Sequence, residues 1–156
     1  AGGRRSLMFD RKQFLTELRG LAGQDIRWLH QGTIPETGFD CIGVVRYAAE
    51  QQGVVLPEGF ANEFEHYGRP PDGQRFLSIM RKWLTEISIE ETLPGDLFVI
   101  YIRRNPCHLA VKMENGMVAE AFESMDGSVS RFLIRELDPR HRIAACFRIP
   151  DFVGAS

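Results

Sequence analysis

Apolar residues recur every three or four positions in three stretches before residue 90 and fall into short strand-like runs after Asp96, so the pattern predicts helices first and strands afterwards. Phe14, Leu15, Leu18 and Leu21 form one stripe behind Asp10, a residue type that caps helix starts. Ile42, Val44, Val45, Ala48 and Ala49 form a second behind Asp40, with Gln51-Gln52-Gly53 as its stop. Phe76, Leu77, Met80, Trp83 and Leu84 form a third behind Asp72, and all three stripes read as core-facing sides. The later runs predict strands over 97–103, 107–113, 117–122, 128–134 and 143–149. Turn signals separate them at Asn105-Pro106, Glu114-Asn115-Gly116, Met125-Asp126-Gly127 and Asp138-Pro139-Arg140, and Pro94-Gly95-Asp96 precedes the first. Helices followed by hairpin-linked strands give an α+β fold, with N-terminal helices packed on a C-terminal antiparallel sheet of about five strands. The link from Val54 to Gly73 carries Phe60, Phe64 and Tyr67 among Pro and Gly. It reads either as one wall of a binding groove or as a surface loop held down by its aromatics.

At 156 residues, 44% apolar and 26% charged, the chain can bury one well-packed core but not two comfortable ones. A single domain over 8–153 is expected, with Ala1–Leu7 a vector-derived or disordered leader before a native start at Met8. The net charge of −2 and the scattered basic residues give no electrostatic reason to expect nucleic-acid binding. No stretch approaches the roughly 18–20 apolar residues of a membrane span, and no apolar core follows Arg4-Arg5 to make a signal peptide. Cys41, Cys107 and Cys146 cannot all pair and lack the close Cys-x-x-Cys spacing of zinc sites, so reduced thiols are the simplest reading. Cys107 and Cys146 read as core residues, Cys107 facing away from its neighbour His108. The histidines are isolated in sequence, and neither metal nor cofactor is expected.

One constellation carries chemistry. Asp40 caps the second helix, so Cys41 opens it, and the unpaired N–H groups there favour thiolate over thiol, lowering the pKa from roughly 8.5. Without its surroundings, Cys41 reads more readily as a small apolar residue at a helix entrance. His108 lies on the second predicted strand and Glu120 on the third. The turn at Asn115-Gly116 brings 108 roughly opposite the low 120s, where a carboxylate can accept from the imidazole and fix its tautomer. Cys41, His108 and Glu120 thus read as nucleophile, base and orienting group.

The series Gly38-Phe39-Asp40-Cys41-Ile42-Gly43-Val44-Val45, then Pro94-Gly95-Asp96-Leu97, then His108-Leu109-Ala110-Val111, then Asn115-Gly116-Met117-Val118-Ala119-Glu120-Ala121 resembles the NlpC-type cell-wall cysteine peptidases, from about Ile26 to Leu133. The resemblance implies a papain-like fold in which Cys41 opens the helix, His108 lies on the central sheet and Glu120 orients the imidazole. Glu120 is a departure, because that position in the family is commonly histidine. Trp28 is another, standing where the family usually carries a tyrosine that helps bind substrate and the oxyanion. His30 or Gln31 would then supply the missing donor beside the Cys41 N–H, with Asp40 bordering the same site; His30 reads equally well as a loop histidine capping the backbone. His30-Gln31-Gly32 and Tyr67-Gly68-Arg69-Pro70-Pro71-Asp72-Gly73 are similar to the phage-associated, tail-tip branch.

The resemblance implies amide hydrolysis in peptidoglycan stem peptides through a Cys thioester, with phage tail-tip proteins as partners. It also implies synthesis in the bacterial cytoplasm, incorporation into a phage-tail-like particle and action in the cell wall. Two alternatives stand beside it: a catalytically idle structural module of a tail tip, and an intracellular amidase or thioesterase acting on a small or lipid-linked substrate.

Overall fold

The structure is a computed structural model that describes residues 9–53, Gly59, Glu63, 72–123 and 130–151. Its described helices begin where the capping residues predict. Helix α1 (Arg11–Ala22) follows Asp10, whose carboxylate accepts from the Gln13 N–H at 3.0 Å. Helix α2 (Cys41–Glu50) follows Asp40, which accepts from the Gly43 N–H at 2.7 Å. Helix α3 (Gly73–Trp83) follows Asp72, which accepts from the Gln74 and Arg75 N–H groups. Each cap satisfies donors that the first helical turn leaves without an intrahelical partner.

Two short strands, β1 (Thr33–Ile34) and β2 (Gly38–Phe39), form a hairpin just before α2. The main sheet contains β3 (Thr85–Ile87), β4 (Leu97–Ile102), β5 (Asn105–Lys112), β6 (Met117–Glu123), β7 (Ser130–Glu136) and β8 (Ile143–Arg148). Its order is β3-β8-β4-β5-β6-β7, with every neighbouring pair antiparallel. The fold is therefore α+β, with six strands in the main sheet rather than about five. The additional strand, β3, is three residues long and follows α3 after a single residue, too short to display a period-2 pattern. A short edge strand of this kind offers little unpaired backbone to another chain.

Strand β7 runs to Glu136, two residues beyond its predicted 128–134 span, and residues 128–129 and the Met125-Asp126-Gly127 turn lie outside the described residues. Most of the Val54–Gly73 link and residues 1–7, expected to be a leader, also lie outside them.

Alternation along the strands divides the sheet into two faces. Leu97, Val99, Leu109, Val111, Ala119, Ala121, Phe132 and Phe147 join the apolar sides of all three helices in the main core. Phe98, Ile100, Ala110, Val118 and Cys146 form a smaller cluster through the opposite residue parity.

The Pro94-Gly95-Asp96 stretch is more than a turn. Asp96 is buried and accepts from the Leu93 N–H, from Arg11 at 3.1 Å, and from Arg148 through two bonds of 3.1 and 2.8 Å. Burial works to raise its pKa, but Arg148, the Leu93 N–H and Arg11 outweigh it and hold the carboxyl below the ordinary range. One carboxylate thereby joins the start of α1 to β4 and β8.

Candidate active site

Gly43 determines how closely the preceding loop approaches the start of α2. A Cβ at this position would lie 1.8 Å from the Gly32 carbonyl oxygen, so only glycine lets the 30–32 turn press against the first helical turn. Asp40 secures the same junction: Oδ1 caps Gly43 while Oδ2 accepts from the Gln31 N–H at 3.0 Å. The sequence Gly-Phe-Asp-Cys-x-Gly thus builds a rigid helix entrance around Cys41.

Helix α2 packs over β5 and β6. The Cys41 sulfur lies by the Leu109 N–H, the peptide group that joins Leu109 to His108. Burial pushes the thiol well above its ordinary pKa, and the Asp40 carboxylate adds to the rise; the N–H groups of Leu109 and Cys41 act in the opposite direction but do not win. This corrects the expectation that a helix-start position alone lowers the pKa. Desolvation of a buried thiolate outweighs the partial charge of a short helix, and the capping carboxylate offsets part of that charge.

His108 and Glu120 occupy adjacent strands at the end of a short ladder. Strands β5 and β6 pair at Val111 with Ala119 and at Lys112 with Val118. Beyond those pairs the side chains make the link, with His108 Nε2 2.6 Å from Glu120 Oε2. Both residues are buried. The β4–β5 register shifts beside His108, where Ile100 faces His108 and Tyr101 faces Pro106. Cys107 occupies that irregularity and is only half-buried, which corrects its reading as a core residue, whereas Cys146 is buried as expected. Bulges of this sort re-aim neighbouring side chains.

Arg135 on β7 completes the arrangement and had no sequence signal to single it out from other basic residues. Its Nε donates to Glu120 Oε1 at 2.6 Å. Burial acts to raise the Glu120 pKa, but the bonds and charges of His108 and Arg135 overcome it and keep the pKa low. An ionised carboxylate only accepts, so His108 Nε2 carries a hydrogen toward Oε2 and Nδ1 is the basic nitrogen of the neutral ring.

Trp28, His30 and Gln31 lie on the segment that precedes β1. The Trp28 N–H donates to the Ser130 carbonyl and the Leu29 N–H to the Phe39 carbonyl, inserting this segment between β7 and β2. Trp28 is half-buried with its ring 6.4 Å from that of His30, and Gln31 is exposed in a left-handed conformation at φ +57°. Asp40 ties Gln31 to the start of α2. The structure brings Gln31 against Asp40, the residue before Cys41, and pairs Trp28 with Phe39, and Asp40 serves the backbone there. Among the described residues, no group of three or more His, Cys, Asp or Glu is placed to hold a metal ion, and no helix is long and apolar enough to cross a membrane.

The fold is similar to that of several solved proteins. One, from Staphylococcus aureus subsp. aureus Mu50 and described as similar to lipoprotein of the NLP/P60 family, gives a TM-score of 0.59 at 19% identity over 96% of this chain and 45% of that one. This chain thus spans less than half of the staphylococcal protein. The peptidoglycan hydrolase RipB of Mycobacterium tuberculosis gives 0.55 at 19% identity, over 91% of this chain and 67% of that one. RipD of the same organism, a non-catalytic NlpC/p60 domain protein adapted to peptidoglycan binding, gives 0.52 at 14%, over 88% and 98%. At these identities the likeness shows the fold alone. No curated protein matches the chain. The model of the NlpC/P60 family matches residues 24–138, a span containing Cys41, His108, Glu120 and Arg135, and the chain belongs to the NlpC/P60 family.

Proposed function

We propose that the protein is a cysteine peptidase that hydrolyses amide bonds in peptidoglycan stem peptides through a thioester on Cys41. The observation that carries this reading is the buried His108–Glu120 pair, at 2.6 Å, on the strands against which the helix opened by Cys41 packs. His108 Nδ1 takes the Cys41 proton, and the thiolate attacks the substrate carbonyl carbon. The N–H of Cys41, with His30 or Gln31, stabilises the oxyanion. The imidazolium then gives its proton to the departing amine as the C–N bond breaks, leaving the thioester. His108 next deprotonates a water that attacks the thioester carbonyl, releasing the carboxylic acid and restoring the thiol. Glu120 stabilises the imidazolium in both halves of the cycle.

Family membership and the likeness to RipB support peptidoglycan as substrate. The cell wall as site of action, and delivery by a phage-tail-like particle, rest on the resemblance of His30-Gln31-Gly32 and of the segment 67–73. Co-purification with tail proteins tests that delivery.

A binding role without catalysis is the second reading. The burial of Cys41 beside Asp40, which disfavours the thiolate, favours it, as does the absence of a hydroxyl at Trp28. RipD is an instance of a similar fold adapted to binding. Mass spectrometry of muropeptides incubated with the protein and with Cys41→Ala separates the readings. Cleavage with a new amine terminus, abolished in Cys41→Ala, is the expected result; equal binding by both proteins without cleavage selects the second reading.

A further inference from the structure

We infer that Arg135 is a positioning residue that holds Glu120 as a carboxylate for His108. Glu120 is almost completely buried, and each oxygen meets one donor: His108 Nε2 at Oε2 and Arg135 Nε at Oε1, both at 2.6 Å. The register explains the placement. Across β6 and β7, Val118 faces Arg135 and Glu120 faces Leu133, so Arg135 reaches Glu120 diagonally on a shared face. Its guanidinium lies 4.2 Å from the centre of the Phe122 ring, fixing its plane, and its side chain remains about one-third exposed. The cation therefore keeps part of its hydration while neutralising a carboxylate that has little.

Two opposing effects meet at Glu120. Burial favours the neutral acid, which as a donor would confront the Nε2 hydrogen of His108 instead of accepting it. The two donors favour the anion and prevail. The Arg135 guanidinium remains charged throughout the range in which a carboxyl group titrates. Three charged groups on neighbouring elements have partners of their own. Lys112 of β5 donates to Thr92, Arg131 of β7 approaches Asp25, and Asp40 before α2 accepts from Gln31 and Gly43.

The inference deepens the peptidase reading and rests on it for its consequence in catalysis. Its test needs no substrate. Carboxyl carbon NMR, with Glu120→Gln to assign the signal, follows Glu120 titration in the parent, Arg135→Gln and Arg135→Lys. The expected result is a rise of roughly one pH unit or more in Arg135→Gln and a distinctly smaller one in Arg135→Lys, which keeps the charge. The acid limb of Cys41 alkylation should move up in Arg135→Gln and stay in place when Arg135→Gln is added to Glu120→Gln. An unmoved Glu120 titration, equal displacement in both arginine variants, or the same shift of the alkylation limb in the Glu120→Gln background would overturn the assignment. Failure of the parent to cleave muropeptides counts instead against the peptidase reading alone.

Discussion

Cys41 carries two opposing influences within one turn of helix. The N–H groups at the start of α2 favour its anion, while burial and the adjacent Asp40 carboxylate disfavour it and prevail. The helix entrance alone therefore does not make a nucleophile, and on the proposed peptidase reading His108 supplies the compensating charge. Asp40 has a cost as well as a use, because the carboxylate that caps Gly43 and anchors Gln31 also repels a thiolate. Asp40→Asn keeps an acceptor for the cap and removes the charge. Its Cys41 titration, followed by ultraviolet thiolate absorbance, is expected to move to lower pH with little loss of stability; a rise would contradict the repulsion. That Cys41 opens a helix and that His108 meets Glu120 across neighbouring strands was legible in the sequence, because a cap, a strand and a turn place them locally. Arg135 was not, because its role depends on the β6–β7 register and a diagonal reach to Glu120.

At the scale of elements, the helices were readable because each couples an apolar stripe to an aspartate that caps its first turn. Strands β4 to β8 announced themselves by apolar runs between turn residues, whereas three-residue β3 has no periodicity to read and exists through its pairing with β8. The Asp96 cluster was hidden for another reason: its partners Arg11 and Arg148 lie far away in sequence. Asp96→Ala removes the acceptor that joins α1, β4 and β8 and is expected to lower stability by about 2–3 kcal/mol, measured by urea unfolding at neutral pH. Asp96 has a depressed folded pKa, so its contribution is present above the unfolded carboxyl value of about 3.9 and is lost as pH falls through the folded value. The difference between parent and variant should therefore shrink in acid. A difference independent of pH would mean that packing, not the ionised carboxylate, supplies the stability.

For the whole molecule, the order of helices followed by strands was enough to give the α+β class, because a helical stripe and a sheet face must bury each other. The strand order β3-β8-β4-β5-β6-β7 and the shortness of the β5–β6 ladder emerged only from the assembled sheet. The family shows the scaffold; the chemistry depends on whether His108 activates a thiol that burial would otherwise keep neutral. The pH dependence of Cys41 alkylation by iodoacetamide, in a Cys107→Ser/Cys146→Ser background with and without His108→Ala, measures this directly. The account predicts reaction persisting well below pH 8 and falling at least roughly tenfold at neutral pH when His108 is removed. A Cys41 that is unreactive at neutral pH, or equally reactive without His108, would contradict it.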